Sequence, residues 1–468
     1  MTMTLTVPPR ATEERLTGLP VAVIGAGPIG LAAAAQLLER GIDVVVYEAG
    51  NQAGAAVSQW GHTRLFTRWE HLIDPAARRL LEAAEWVAPA SDELPLGRQL
   101  VDDYLTPLAA TDELAPRIRY GSRVTAVSRE GMDRTRSTGR ASTPFLLRIQ
   151  TDVDTVDVLA RAVIDTSGTY SNPNALSSSG LNPLGSPGAA AYISHALPDV
   201  LGAERARLAG RRVLVVGAGH SAANTLLKLA ELAAVAPGTE ITWAIRGADP
   251  VRVYGSDDDE LEERGKLGGR VHDLVRSGAI TLLDRFEIER LDESDGACTV
   301  TARRGSGRVS VIADVVVNAT GFRPDLGMLR EIRISLDEIV EAPRALAPLI
   351  DPNLHSCGTV DPHGVAELAH PESNFFIAGM KSYGRAPTFL LLTGYEQVRS
   401  IADELAGNHA AARQVQLVLP QTGVCSADIG SGGSSCCAVE PASSEAIWEA
   451  ISSAQSATVD AKSGGCCA

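Results

Sequence analysis

The sequence lacks three features that would assign it quickly to a common class: cysteine along most of its length, clustered basic residues, and long apolar runs. The first cysteine of the 468-residue chain is Cys298, which argues against a secreted fold held together by disulfides. A formal net charge of −15 without a long basic run argues against nucleic acid or an anionic membrane as a partner. No uncharged apolar stretch reaches the length of a membrane span. With 45% hydrophobic residues, the chain is expected to form a multidomain protein. Given the charge and the lack of apolar spans, its partners are expected to be small molecules and its location the cytoplasm.

The first informative motif is a glycine-rich turn that follows a short β-branched run. The turn contains Gly25, Gly27 and Gly30 and opens a helix rich in alanine and leucine, so a pyrophosphate can bind at the helix N-terminus. Glu48 ends the next predicted strand, where a carboxylate accepts both hydroxyls of an adenosine ribose and repels a 2′-phosphate. The first unit is therefore predicted to bind FAD.

A second glycine-rich turn, also between a β-branched run and an alanine- and leucine-rich helix, contains Gly217, Gly219 and Ser221. The strand after this helix leads to Arg246, whose guanidinium can pair with a 2′-phosphate. Because the charge at this position is opposite to that of Glu48, the second unit is predicted to bind NADPH.

Two further turns share a strand-to-turn pattern and place Gly168 and Gly321 at predicted crossings between domains, and both glycines are expected to contact a cofactor. Together with both nucleotide turns, they make residues 19 to about 405 resemble the two-dinucleotide-binding flavoproteins, which include flavin-containing monooxygenases and pyridine nucleotide-disulfide reductases. The resemblance implies an α/β fold with two Rossmann-like domains, in which an NADPH domain is inserted into a split FAD domain. The expected division is a tail at 1–18, FAD-binding parts at 19–188 and 311–419, an NADPH domain at 189–310, and a flexible Cys-rich tail at 420–468.

The positions of the cysteines separate two branches of this superfamily. The resemblance implies that a disulfide reductase carries a redox dithiol just after the first nucleotide helix or inside the NADPH domain, and this chain has no dithiol there. The monooxygenase branch needs none, because reduced flavin itself binds dioxygen and transfers one oxygen atom to a soft nucleophile. One departure is the monooxygenase signature F-x-G-x-x-x-H ahead of His195, which requires phenylalanine and glycine where Ala189 and Ala191 stand.

Longer pieces of the sequence are similar to a bacterial group of NADPH-dependent flavin monooxygenases encoded with arsenic-resistance genes. These pieces are residues 60–62, 350–358, 379–389 and 420–425. The expected activity is reduction of FAD by NADPH, followed by oxygen transfer from dioxygen to a small soft nucleophile, with an arsenical as one candidate. Two alternatives stay open: an NADPH-dependent reductase that passes electrons to tail dithiols or a thiol-bound metal, and a non-catalytic metalloid sensor or carrier.

The loop after the last predicted strand supplies candidate catalytic residues. Gly379 is expected to contact the cofactor. Lys381, Tyr383 and Arg385 are expected near the isoalloxazine ring, where a cation would stabilise anionic reduced flavin. Solvated loop charges are the alternative interpretation.

Other candidates lie outside this loop. Trp60 belongs to an irregular aromatic and basic segment that is expected to form one wall of the flavin pocket, with an ordinary surface loop as the alternative. His355 and Cys357, close in sequence to His363, are candidates for an active-site wall or a proton relay, with plain structural roles as the alternative.

The tail contains two pairs of adjacent cysteines, Cys436 with Cys437 and Cys466 with Cys467. Once deprotonated, adjacent thiols can chelate As(III), mercury or zinc, so these four residues are candidate metal or metalloid ligands. They are similar to the pair that ends mercuric reductase. Solvent-exposed thiols without a ligand are the alternative.

Overall fold

The computed structural model describes residues 15–250, 262–351, 362–386 and 389–417. In this part of the chain the strands are β1 (Val21–Ile24), β2 (Val44–Tyr47), β3 (Ile118–Arg119), β4 (Arg123–Arg129), β5 (Phe145–Gln150), β6 (Thr155–Ala160), β7 (Ala162–Asp165), β8 (Ile193–Ser194), β9 (Arg212–Val216), β10 (Glu240–Ala244), β11 (Thr281–Leu283), β12 (Glu287–Ser294), β13 (Ala297–Arg304), β14 (Gly307–Ala313), β15 (Val315–Asn318) and β16 (Phe375–Ile377).

The α-helices of the same residues are α1 (Pro28–Glu39), α2 (Ala55–Ser58), α3 (Pro75–Ala83), α4 (Gly97–Gln99), α5 (Thr106–Ala109), α6 (Arg205–Leu208), α7 (His220–Val235), α8 (Glu262–Arg276), α9 (Ala347–Ile350), α10 (Leu391–Leu405) and α11 (His409–Ala412). A wider π-helical turn, Leu100–Leu105, joins α4 to α5. None of the described helices has the length and apolarity that a membrane span requires.

The first sheet consists of five parallel strands in the order β16-β7-β1-β2-β3. β1 pairs along its whole length with β2 on one side and with β7 on the other. Its side chains alternate between two cores: Val21 and Val23 pack with α1, whereas Ala22 and Ile24 pack on the side of β4 and β5. A strand that is buried on both faces is expected to be apolar at every position, and β1 is a continuous apolar run.

The second sheet has the same layout, β8-β15-β9-β10-β11, again with parallel strands. Each sheet contains a glycine-turn β-α-β unit, β1-α1-β2 or β9-α7-β10, and each carries a three-stranded antiparallel sheet inserted before the strand that returns beside β1 or β9. These insertions are β4-β5-β6 before β7 and β12-β13-β14 before β15. The predicted α/β fold, with a second Rossmann-like domain inserted into a split first domain, is confirmed.

One predicted domain boundary is wrong. Residue 311 lies inside β14, and β15 pairs with β9 in the second sheet, so the inserted domain continues to Asn318. The apolar run at 309–317 looks like one strand in the sequence, but the structure divides it at Asp314, whose carboxylate lies 2.7 Å from the Arg212 guanidinium. The chain rejoins the first sheet only at β16. Most of the predicted N-terminal tail and all of the predicted C-terminal tail lie outside the described residues.

The two segments that connect the domains lie side by side. Asn174 N–H donates to the Gly321 carbonyl at 2.9 Å, and Arg323 N–H donates to the Asn172 carbonyl at 3.0 Å. The Asn318 side chain donates to the Asn174 carbonyl at 3.0 Å. The crossings predicted from Gly168 and Gly321 are therefore joined to each other by backbone and side-chain hydrogen bonds.

A buried acid joins α1 to α3. Asp74 caps α3 by accepting hydrogen bonds from the N–H groups of Ala76 and Ala77, both at 2.9 Å, and it also accepts one from Gln36 on α1 at 2.9 Å. Burial raises the pKa of Asp74 to about 6, although these hydrogen bonds oppose the shift. This carboxyl group therefore titrates well above the ordinary range of an aspartate.

Candidate functional site

The first glycine-rich turn lies at the carboxyl end of β1, between the strands that lead off to either side. Such a topological switch point opens a crevice outside the strand ends, where ligands of open parallel sheets bind. Gly25 has a φ of +101°, and a Cβ on Gly30 would lie 1.9 Å from the Gly25 carbonyl oxygen, so both positions require glycine. Helix α1 begins after Gly27 without a side-chain cap, which leaves N–H groups of its first turn for an anion.

Glu48 braces this turn from the end of β2. Its two carboxylate oxygens accept hydrogen bonds from Ala26 N–H and Gly50 N–H, both at 2.7 Å. Each oxygen keeps a second lone pair, so the same carboxylate can also accept ribose hydroxyls. The contact with Ala26 links the position of the acid directly to that of the glycine turn.

A buried ion pair links the turns that follow β7 and β16. Lys381 Nζ lies 2.7 Å from Asp165 Oδ2 and 3.0 Å from Ser167 Oγ, and the side chains of Lys381 and Asp165 are fully buried. The interpretation of Lys381 as a solvated loop charge is wrong. Its charge is compensated by Asp165, so the two side chains form a pair without net charge at the edge of the crevice. Gly168 follows with a φ of +69° and open space where a Cβ would be.

The other residues of the last loop differ in exposure. Tyr383 is buried, with its ring 5.7 Å from His363 and 5.1 Å from Phe389 between centroids. Burial raises the pKa of Tyr383 far above its ordinary value, so it remains a neutral phenol. Arg385 is exposed, and the interpretation as a solvated charge fits it. Gly379 has a φ of +72°, and its N–H is already donated to Gln397 at 2.7 Å.

The segment predicted to wall the flavin pocket reaches from one domain to the other. Trp60 packs against Gly97, where a Cβ would lie 2.8 Å from the indole ring. Six residues later, the Phe66 ring packs against the core of the second domain and lies 5.8 Å from the His220 ring, edge to face. Leu65 N–H donates to the Pro95 carbonyl at 2.9 Å, which anchors the segment. Most of it is irregular, as expected, but residues 55–58 form α2.

The second glycine-rich turn occupies the equivalent switch point, between β9 and β15. Gly217 has a φ of +133°, and a Cβ there would lie 2.0 Å from the Ala319 carbonyl oxygen. The Trp243 indole donates to the Gly217 carbonyl at 2.7 Å. Helix α7 begins after Gly219 without a side-chain cap and carries Ser221 in its first turn. The geometry of the first turn is thus repeated.

Arg246 and Gly321 lie on either side of this second turn. Arg246 follows the end of β10, is exposed, and has no ion-pair partner among the described residues. Gly321, with a φ of +93°, follows β15 at the crossing between domains. The structure therefore brings the predicted residues of the second unit to one end of its sheet.

Thiols and metal-binding groups are scarce where the chain is described. Cys298 is the one cysteine there; it is fully buried in β13, and burial raises the pKa of its thiol. Within the described ranges, no group of three or more His, Cys, Asp and Glu side chains could hold a metal ion. The remaining candidates lie outside the described residues: His355, Cys357, Cys436, Cys437, Cys466 and Cys467.

Sequence reasoning missed the partners of the last loop. Asp165 and Ser167 were visible as polar residues directly after an apolar strand, but Lys381 is 216 residues away from Asp165 along the chain. Among the described residues, His363 contacts Gln397 on α10, which the sequence did not indicate. No local pattern in the sequence signals either contact.

Comparisons with known proteins agree with this architecture. The sequence model of the pyridine nucleotide-disulphide oxidoreductase family matches residues 22–345. No curated protein sequence matches the chain. A bacillithiol disulfide reductase from Bacillus cereus is similar in fold, with 20% identity and a TM-score of 0.61 over 84% of this chain and 99% of that chain.

Two solved monooxygenases are similar as well. One is the FAD-bound cadaverine monooxygenase of desferrioxamine biosynthesis from Erwinia amylovora, with 15% identity and a TM-score of 0.58 over 87% of this chain and 98% of that chain. The other is a mutant flavin monooxygenase from Stenotrophomonas maltophilia, with 22% identity and a TM-score of 0.55 over 83% and 98%. At these identities the likeness concerns the fold.

Proposed function

The chain belongs to the pyridine nucleotide-disulphide oxidoreductase family, and from this premise we propose that it is an FAD- and NADPH-dependent monooxygenase. The family match confirms the prediction of a pyridine nucleotide-dependent oxidoreductase. The proposed reaction transfers one oxygen atom from dioxygen to a small, soft nucleophile. Trivalent arsenicals are included as candidate substrates because of the resemblance described for residues 350–358 and 379–389.

FAD fits the crevice at the first glycine-rich turn. The uncapped start of α1 offers N–H groups to a pyrophosphate, and Gly27 has open space where a Cβ would be, so a ligand can approach the backbone closely. Glu48 has lone pairs left for ribose hydroxyls. The Lys381–Asp165 pair lies at the next strand end, and both of its side chains are fully buried. Bound FAD would take two electrons from NADPH and pass them to dioxygen, with the second oxygen atom leaving as water.

NADPH fits the second turn for the same reasons, with one difference in charge. Gly219 leaves open space at the start of α7, and Ser221 adds a hydroxyl in the first turn of the helix. Arg246 is an exposed guanidinium at the position where the first unit has a carboxylate, which suits a 2′-phosphate.

The observation that carries the choice of a monooxygenase is the distribution of thiols. The first turn has Ile29 and no cysteine, and the sequence has no cysteine before Cys298. Cys298 itself is fully buried in β13 of the second domain. In the described residues, a reductase that exchanges disulfides beside the flavin would have no thiol with which to do so.

The decisive experiment is anaerobic reduction by NADPH followed by admission of air, with product analysis over a panel of arsenicals, sulfides and amines. We expect NADPH to bleach the flavin, and substrate to raise NADPH consumption and oxygen uptake equally. Turnover without oxygen that is lost on removal of residues 421–468 would instead support the reductase. A flavin that NADPH does not bleach would support a sensor or carrier.

A matched variant tests the cofactor site itself. Gly27→Ala introduces a methyl group that meets no atom of the described residues within 4 Å, so the protein is expected to fold normally. Loss of FAD from this variant, with unchanged circular dichroism, would show that the ligand occupies that space. Full FAD content in Gly27→Ala would contradict the proposed cofactor position.

A further inference from the structure

A buried histidine lies behind the last loop and has no place in the chemistry proposed above. His363 is 1% exposed, and its Nε2 lies 2.9 Å from Nε2 of Gln397, which is fully buried on α10. The histidine is therefore in contact with a side chain that cannot turn to solvent for another partner.

Gln397 also holds the turn that follows β16. Its Oε1 accepts the Gly379 N–H at 2.7 Å, and its Nε2 donates to Ser382 Oγ at 3.0 Å. The Ser382 hydroxyl in turn donates to the Gly379 carbonyl at 2.7 Å. These contacts form a closed ring. Gln397 accepts from the Gly379 N–H and Ser382 donates to the Gly379 carbonyl, so both backbone polar groups of Gly379 are hydrogen-bonded.

This ring determines where the proton of His363 must lie. A backbone N–H can only donate, so the carboxamide oxygen of Gln397 has to face Gly379 and its NH₂ group has to face His363. Nε2 of His363 must then accept a hydrogen bond. The imidazole is consequently neutral, with its proton on Nδ1.

The chain of contacts ends at the proposed FAD crevice. A Cβ on Gly379 would lie 3.1 Å from Cγ1 of Ile29, which belongs to the first glycine-rich turn. Two residues after Gly379, Lys381 pairs with Asp165 at the end of β7. The position of Gly379, which follows β16, therefore affects the groups at the ends of β1 and β7.

We propose that His363 and Gln397 are positioning residues of the flavin site. A neutral His363 orients the Gln397 carboxamide, which holds the Gly379–Tyr383 turn against the first glycine-rich turn. This inference rests on the proposed function only in assigning FAD to the crevice.

The test compares His363→Leu, which removes the acceptor, with His363→Gln, whose carboxamide oxygen can replace it. In reconstituted protein, we expect His363→Leu to weaken FAD binding about 5- to 10-fold, the effect of one buried hydrogen bond, and to shift the flavin absorbance spectrum. His363→Gln is expected to restore both. The matched control is His370→Leu, because His370 accepts from Ser335 N–H and has no contact with Gly379 in the described residues.

Each possible result either supports or overturns the assignment of His363 and Gln397 as positioning residues. FAD affinity and spectrum in His363→Leu equal to those of His370→Leu would overturn the inference while leaving the proposed function intact. A wild-type protein that binds no FAD after reconstitution would overturn both. If His363→Leu does not fold, long-range ¹H–¹⁵N NMR of histidine-labelled wild-type holoprotein decides: a proton on Nδ1 is expected, and a proton on Nε2 would overturn the inference.

Discussion

Replacing Lys381 by methionine is expected to be among the most destabilising conservative changes in the described part of the chain. Methionine keeps most of the length and apolar surface of the lysine but removes the ammonium group that lies 2.7 Å from Asp165. Among the described residues, the Asp165 carboxylate would keep only the Ser167 N–H at 3.1 Å and the Ser167 hydroxyl at 2.7 Å as hydrogen-bond donors. Because both charges are fully buried, removal of one partner should cost about 3–5 kcal/mol of unfolding free energy.

The double variant Asp165→Asn/Lys381→Met separates pairing from packing. Replacing both charges leaves no uncompensated ion, so we expect it to cost no more than either single change, giving a coupling energy of about 3 kcal/mol. The assay is urea unfolding of the holoprotein, followed by circular dichroism and flavin release. Arg385→Met, in the same loop but exposed, is the control and should change stability by less than about 0.5 kcal/mol. Additive costs of the two single changes would refute the reasoning.

Three further predictions concern the nucleotide turns and the buried acid. Arg246→Glu should cost about 1.5–3 kcal/mol of NADPH affinity without weakening NADH binding, and equal NADPH and NADH dissociation constants in the wild type would contradict this assignment. Gly217→Ala would place a methyl group 2.0 Å from the Ala319 carbonyl oxygen and should lower the unfolding free energy by about 2–4 kcal/mol. Gly219→Ala meets none of the described residues within 4 Å, so it should fold normally and lose NADPH affinity; equal stability of the two variants would refute the close approach. The pKa of Asp74 is raised to about 6, so the protonated carboxyl contributes fully to the free energy of unfolding below pH 4. This contribution is lost as the pH rises through 6. The stability of the wild type relative to Asp74→Asn should therefore fall by about 3 kcal/mol between pH 4 and pH 7 in urea titrations, and a constant difference would exclude the shift.

The sequence was sufficient to predict both Rossmann units because each is local. A strand, a glycine turn, a helix and a second strand follow one another closely, and each element has its own pattern. Glu48 could be found by its place at the end of β2, although its hydrogen bond to Ala26 could not. The predicted boundary at residue 311 was wrong because the apolar run at 309–317 contributes to two strands, β14 and β15. Lys381 and Asp165 could not be paired, since nothing local links residues so far apart.

The two glycine turns share a topology but differ in how closely the segment after the neighbouring strand approaches them. A Cβ on Gly25 would lie 3.2 Å from the carbonyl oxygen of Thr166, which follows β7. A Cβ on Gly217, the equivalent glycine of the second turn, would lie 2.0 Å from the carbonyl oxygen of Ala319, at the start of the crossing between domains. The second turn therefore has less room against its crossing than the first turn has, and a shift of that crossing moves backbone that the second turn contacts directly. A change at the crossing should accordingly disturb the proposed NADPH site before the proposed FAD site.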